Sequence, residues 1–184
     1  MKVLKFGGTS VGTADSITKV SQIVKDESKE ERVIVVVSAM SQVTNKLLNA
    51  SNLAATGDES YKEITKEIEN KHFDAIRTLV AIDQQSGVIA NVKVLLNRLE
   101  DVLTGVFLVQ ELSPKTSDFI VSFGEQLSSI IVSQALQAEL VDSKSLIKTD
   151  KTFGGATVLH DTTYQNIKEY FSANDAQVFV APGF

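Results

Sequence analysis

Five β-branched residues stand in a row at Val33–Val37. Branching at Cβ restricts the side-chain torsion and suits a pleated strand better than a helix. A strand with one wet face alternates apolar and polar residues. This one does not, so both its faces must be covered, as in a parallel sheet between helical layers. A second apolar segment, Val3 to Phe6, stops at Gly7-Gly8 and reads as a buried strand running into a tight turn. Between the two strands, Ile17, Val20, Ile23 and Val24 share one face of a helix expected from Ala14 to Lys29, with Thr13 as its N-cap. Strand, helix, strand is a βαβ unit, and its crossover should be right-handed.

The middle of the chain carries helical spacing. Leu47, Leu48 and Leu53 precede Gly57, a candidate C-cap. Tyr61, Ile64, Ile68, His72, Ile76, Leu79 and Val80 recur on one face. After an expected break near Ser86-Gly87, Val92, Leu95, Leu96, Leu99, Val102, Leu103 and Val106 do the same. These two helices read as an antiparallel hairpin inserted after the second strand. Thr116 and Ser117 suggest a capped segment, and Leu127, Ile130, Ile131 and Leu136 a helix beginning after Gly124. Short strands are expected over Leu140 to Leu146 and Ala156 to Leu159. A helix over Thr162 to Phe171, capped by Asp161, and a last strand over Gln177 to Val180 follow. A parallel sheet usually covers its last strand with a helix, so an ending at Phe184 reads as a cut through a domain.

Composition excludes several functions. The formal net charge is -5 and no Lys/Arg stripe forms, which disfavours nucleic acid as a partner. With no cysteine, disulfides, thiolate nucleophiles and zinc–thiolate centres are excluded. The N-terminus lacks a long apolar stretch of the secretory kind, and no apolar run approaches the roughly 18 residues that span a bilayer. These features predict a soluble, cytoplasmic protein without a membrane partner.

Ligands of open α/β sheets bind beyond the carboxyl ends of the strands. Three such ends carry glycine or hydroxyl residues: Lys5 to Ser10, Ser38 to Thr44, and Pro182-Gly183. At Lys5-Phe6-Gly7-Gly8-Thr9-Ser10, paired glycines let backbone N–H groups converge, while Thr9 and Ser10 add hydroxyls and Lys5 a positive charge. That set suits phosphates, although it is not the G-x-x-x-x-G-K-[ST] loop. A plain β-turn with an exposed lysine accounts for it equally well. The polar segment Ser38 to Asn45 suits a small polar ligand or, more simply, a helix cap at Ser38 or Ser41. Glu125, after Gly124, either complements a helix start or binds a cation such as an ammonium group. His72 lies on an apolar helix face and His160 near a helix start. Neither has a partner at a spacing that supports histidine catalysis.

Together these segments resemble the aspartate kinases of the amino acid kinase family. Lys5-Phe6-Gly7-Gly8-Thr9-Ser10-Val11 resembles the family's opening signature. Val37-Ser38-Ala39-Met40 with Val43-Thr44-Asn45 is similar to its second motif, and Ser122-Phe123-Gly124-Glu125-Gln126-Leu127-Ser128-Ser129 to its third. Thr149-Asp150 with Phe153-Gly154 and Ala156 fits the same pattern. The resemblance implies a three-layer αβα sandwich on a mainly parallel sheet, with residues 1–184 as the N-terminal part of one kinase domain. It implies transfer of the ATP γ-phosphoryl group to the β-carboxylate of L-aspartate, with Mg2+, on the route to lysine, threonine and methionine. Lys5, the catalytic cation, would face the phosphates with Gly7, Gly8, Thr9, Ser10 and Gly183, and Ser38, Thr44 and Glu125 would line the aspartate pocket. No protein metal ligand is implied.

The family's remaining nucleotide contacts and its regulatory domains lie further along, so the chain alone is expected to turn over negligibly. Val3-Leu4-Lys5 and the third motif stand nearer to the bifunctional members that carry a homoserine dehydrogenase domain. The full-length protein is expected to be a homo-oligomer. Two competing readings remain: another amino acid kinase, such as one phosphorylating glutamate, and a noncatalytic module that packs its helical hairpin on a partner.

Overall fold

The computed structural model describes residues 1–184. The two N-terminal strands form as β1, Lys2–Phe6, and β2, Val33–Val37, and pair in parallel from Lys2 opposite Val33 to Phe6 opposite Val37. Further strands are β3, Glu139–Leu140, and β4, Val178–Pro182. The order β1-β2-β4-β3 makes one fully parallel sheet. The continuous apolar run of β2 is explained by its two neighbours and two covered faces. Val33, Val35 and Val37 enter one core while Ile34 enters another on the opposite side.

The larger core is built by five helices: α1 (Ala14–Glu27), α2 (Val43–Ala55), α3 (Tyr61–Leu79), α4 (Ile82–Val109) and α5 (Pro114–Leu136). Thr13 caps α1 as expected, accepting from the Ser16 N–H in a reciprocal capping box. The smaller core joins Ile34, Phe179 and Ala181 to Leu146 of α6 (Ser143–Leu146) and Phe171 of α7 (His160–Ala173). Helices, sheet and helices therefore make three layers, as the resemblance implies.

Several local expectations are corrected. The hairpin breaks at Val80-Ala81, and α4 runs through Ser86-Gly87. Gly87 is exposed and its surroundings are open, so nothing there stops a helix. Helix α5 starts at Pro114, capped by Ser113, and continues through Gly124. It is long and apolar enough to cross a bilayer, but 72% of that window is buried, as suits a core helix. The strand expected over Leu140 to Leu146 is β3 followed by α6, because the Asp142 carboxylate caps the Lys144 N–H. Between Ala156 and Leu159 only Val158 bridges, to Thr149. Asp161 lies inside the first turn of α7, whose N-cap position is Leu159.

Candidate functional site

Register aligns the ends of three strands. Phe6 pairs with Val37, and Val37 with Pro182, so β1, β2 and β4 finish level. The chain beyond them is stitched together: the Ser38 N–H donates to Phe6 O at 3.1 Å, and the Gly183 N–H to Val37 O at 2.9 Å. Gly8 packs so close to this seam that a Cβ there would lie 3.0 Å from Ala39 O. The Gly7 carbonyl accepts from Ser10 N at 2.9 Å and Val11 N at 3.2 Å, closing a turn. The N–H groups of Gly7, Gly8 and Thr9 donate to no backbone acceptor. Three successive free amides beside a lysine can receive an anion.

Lys5 is exposed. Leu4 and Phe6 pack into the larger core, so Lys5, alternating with them, projects from the opposite sheet face. The structure thus places Lys5 at the strand ends but on the other side of the sheet from α5.

Helix α5 delivers Glu125 to the same edge. A Cβ on Gly124 would stand 2.7 Å from the Ala39 Cβ and 3.3 Å from Leu47 Cδ1, so only glycine lets the helix lie this close. One turn on, Ser128 Oγ donates to Ser38 O at 2.7 Å. Glu125 is buried, with Oε2 lacking any hydrogen-bond partner. Burial pushes its carboxyl pKa up, with the amides of Ala39 and Glu125 itself pulling the other way. The sequence suggested a residue near a helix start; the structure puts Glu125 mid-helix. Complementing the helix dipole is therefore no explanation for it, since that effect is confined to the first turn.

A feature missed by sequence reasoning lies at the start of α2. Its N-cap is neither Ser38 nor Ser41 but Gln42, held at φ 68° and making no side-chain cap. The amides of Thr44 and Asn45 have no backbone acceptor. An uncapped helix start offers donors and positive potential to a carboxylate. The signal was present in the sequence: none of the usual capping residues directly precedes Val43. Ser38 and Thr44 are half-buried here, and Gly183 is exposed beyond β4. No group of three or more His, Asp or Glu residues gathers that could hold a metal.

Both histidines lie elsewhere. His72 is fully buried, and its Nδ1–H donates to Ile68 O at 2.7 Å. His160 stacks near Tyr164 on the surface.

A sequence model described as the amino acid kinase family matches residues 1–184. The chain is similar to the bifunctional aspartokinase/homoserine dehydrogenase 1, chloroplastic, of Zea mays. They are 31% identical over 192 residues, covering 99% of this chain and 20% of that protein. It is also similar to aspartokinase 3, chloroplastic, of Arabidopsis thaliana, 35% identical over 127 residues, covering 69% of this chain and 22% of that protein. The chain thus spans about a fifth of the length of these curated relatives. Among solved structures it matches E. coli aspartokinase III, both with lysine and aspartate and with aspartate and ADP. The TM-score is 0.85 at 24% identity, covering 98% of this chain and 40% of that one. The expectation of a cytoplasmic location is overturned, because these plant relatives are chloroplastic. Composition does not distinguish a chloroplast protein from a cytosolic one. With a family match along its whole length and a three-layer fold shared with a solved aspartokinase, the chain belongs to the amino acid kinase family.

Proposed function

We propose that this chain supplies the aspartate-binding side of an ATP:L-aspartate 4-phosphotransferase. The reaction moves the γ-phosphoryl group of ATP to the β-carboxylate of L-aspartate, giving 4-phospho-L-aspartate. The observation that carries the reading is the buried Glu125 carboxylate, with an unpartnered Oε2, beside the open start of α2. An amino acid carries an ammonium group for the first and a carboxylate for the second. Aspartokinase relatives, and the aspartate and ADP found with E. coli aspartokinase III, support this choice of substrates.

The chemistry asks little of the protein beyond placement and charge. A β-carboxylate with a reference pKa of about 4 is already ionised at neutral pH, so no general base is needed. Ser38 and Thr44 would orient the substrate, and Glu125 would hold its ammonium. The amides of Gly7, Gly8 and Thr9, with the Ser10 hydroxyl, would receive phosphate oxygens, and Gly183 would let them approach the end of β4. Lys5 would reach the transferring group from its side of the sheet and offset the repulsion between the two anions. Mg2+ would arrive on the nucleotide phosphates and add to that neutralisation. In the full-length protein we propose a homo-oligomer serving lysine and threonine biosynthesis, on the strength of the family resemblance.

Titrating L-aspartate into the protein by calorimetry tests the reading. Glu125→Gln keeps the shape and removes the charge. A buried charge-assisted bond is worth about 1.5–3 kcal/mol, so affinity should fall about 10- to 100-fold. Because burial raises the Glu125 pKa, binding should strengthen as rising pH ionises the carboxyl. Equal aspartate affinity in the wild type and Glu125→Gln would remove Glu125 from the pocket.

A further inference from the structure

Between α6 and α7 the chain makes a hairpin, residues 149–158, closed by a bridge between Thr149 and Val158. It is rooted at the strand ends, because Ser143 Oγ of α6 donates to the carbonyl of Pro182, the last residue of β4, at 2.8 Å. The hairpin holds its own shape. Asp150 Oδ1 accepts from the N–H groups of Thr152 at 3.0 Å and Thr157 at 3.1 Å, and the Asp150 N–H donates to Thr157 O at 2.9 Å. Gly154 turns the tip at φ 83°, in the left-handed region that favours glycine. Residues 149–157 are all exposed, so no burial of an apolar side chain fixes where the tip lies.

The tip nevertheless has an anchor. The Gly154 N–H donates to Asp118 Oδ2 of α5 at 2.7 Å, the one hydrogen bond from the hairpin to the rest of the fold. Beside it the Phe153 ring centroid lies 5.8 Å from Lys115 Nζ, also on α5. Asp118 precedes Glu125 by seven residues, so it shares that residue's helix face to within about 20° and stands about 10 Å nearer the start of α5. Helix α5 leads into β3 and runs opposite to the parallel strands, so its start lies beyond their carboxyl ends. The anchored tip therefore stands on Glu125's own face of α5, beyond the strand ends where the candidate pocket lies. We propose that the hairpin is a lid over this pocket, latched by Asp118 and Gly154, and that the latch releases for the amino acid to enter or leave. The lid presupposes that Glu125 holds the ammonium group. One charge-assisted bond at an exposed tip suits a latch, because it orders the hairpin yet opens without disturbing either core.

The test is a titration of the isotope-labelled protein with L-aspartate, with exchange rates taken from the amide line shapes of Thr44 and Gly154. Asp118→Ala should speed aspartate dissociation about tenfold without slowing association, because the lost charge-assisted bond leaves the lid open. Asp118→Asn keeps an acceptor and should lose less. Gly154→Ala leaves Asp118 intact but strains the tip, and should act in the same direction. A merely structural role would lower the melting temperature and leave the dissociation rate alone. Unchanged dissociation in Asp118→Ala or in Gly154→Ala would overturn the lid. Glu125→Gln separates the lid from the pocket. If it weakens binding while Asp118→Ala leaves dissociation unchanged, the lid falls and the pocket stands. If Glu125→Gln leaves affinity unchanged, the pocket falls and takes the lid with it. Should Asp118→Ala fail to fold, Gly154→Ala decides alone.

Discussion

Gly124→Ala sets two effects of similar size against each other. In a helix interior alanine is better than glycine by about 1 kcal/mol. Here the added Cβ would sit 2.7 Å from the Ala39 Cβ and 3.3 Å from Leu47 Cδ1, whereas carbon pairs prefer about 3.5–4.0 Å. Leu47 can turn aside. The Ala39 Cβ cannot, because it is rigidly attached to a backbone that Ser128 Oγ ties to α5 at Ser38 O. Either α5 retreats or the segment after β2 shifts, and both stretch that 2.7 Å bond. Overpacking costs about 1–3 kcal/mol and a weakened hydrogen bond about 1 kcal/mol. Set against the helix gain, the net loss is about 1–3 kcal/mol, or roughly 3–10 °C in Tm for a chain of this size. Gly87→Ala is the matched control, since nothing lies within 4 Å of its Cβ. It should stabilise by about 1 kcal/mol. Thermal and urea unfolding of the three proteins measure both. If Gly124→Ala stabilises as Gly87→Ala does, the close approach that places Glu125 is not as described.

Two further outcomes are expected. Burial lowers the His72 pKa from 6.5 to about 4, despite the Ile68 carbonyl. The unfolded chain therefore binds the extra proton between those values, and His72 should cost about 3 kcal/mol of stability as pH falls from 6.5 to 4. The pH dependence of unfolding in the wild type minus that in His72→Leu isolates this loss, and parallel curves would contradict it. Arg32 donates to the carbonyls of Phe171, Asn174 and Ala176 and stacks 5.3 Å from the Phe179 ring centroid, closing the C-terminal end of α7. Arg32→Ala should cost about 2 kcal/mol in urea unfolding, and Arg32→Lys should recover little, since an ammonium lacks the planar fork.

The sheet was legible where its residues face two cores. Val33–Val37 announces a doubly covered strand because no polar residue interrupts it. The helices were legible as faces but not as limits. Gly124 and Ser86-Gly87 read as breaks because glycine weakens a helix, yet each lies inside one. At Gly124 packing against Ala39 decides, and that neighbour is 85 residues away in sequence. The candidate site was legible as three motifs, whereas their convergence depends on level strand ends, which the register alone fixes. The open start of α2 escaped notice because Ser38 and Ser41 offered apparent caps, while the backbone turns at Gln42 instead.

The place of β4 between β2 and β3 has a consequence for how the chain comes off the ribosome. Val33 pairs on one edge with Lys2 but finds its partner on the other edge only at Val178, 145 residues later. At translation rates of about 5–20 residues per second, β2 waits roughly 7–30 s with one edge unpaired. Throughout that interval the nascent protein displays an aggregation-prone segment, a five-residue apolar strand with neither charge nor proline. Helix α1 has already emerged, and α2 to α5 emerge during the wait; together they can bury one face of that strand, but not its edge. Slowing synthesis downstream of α5 would prolong the exposure and favour pairing between neighbouring nascent chains.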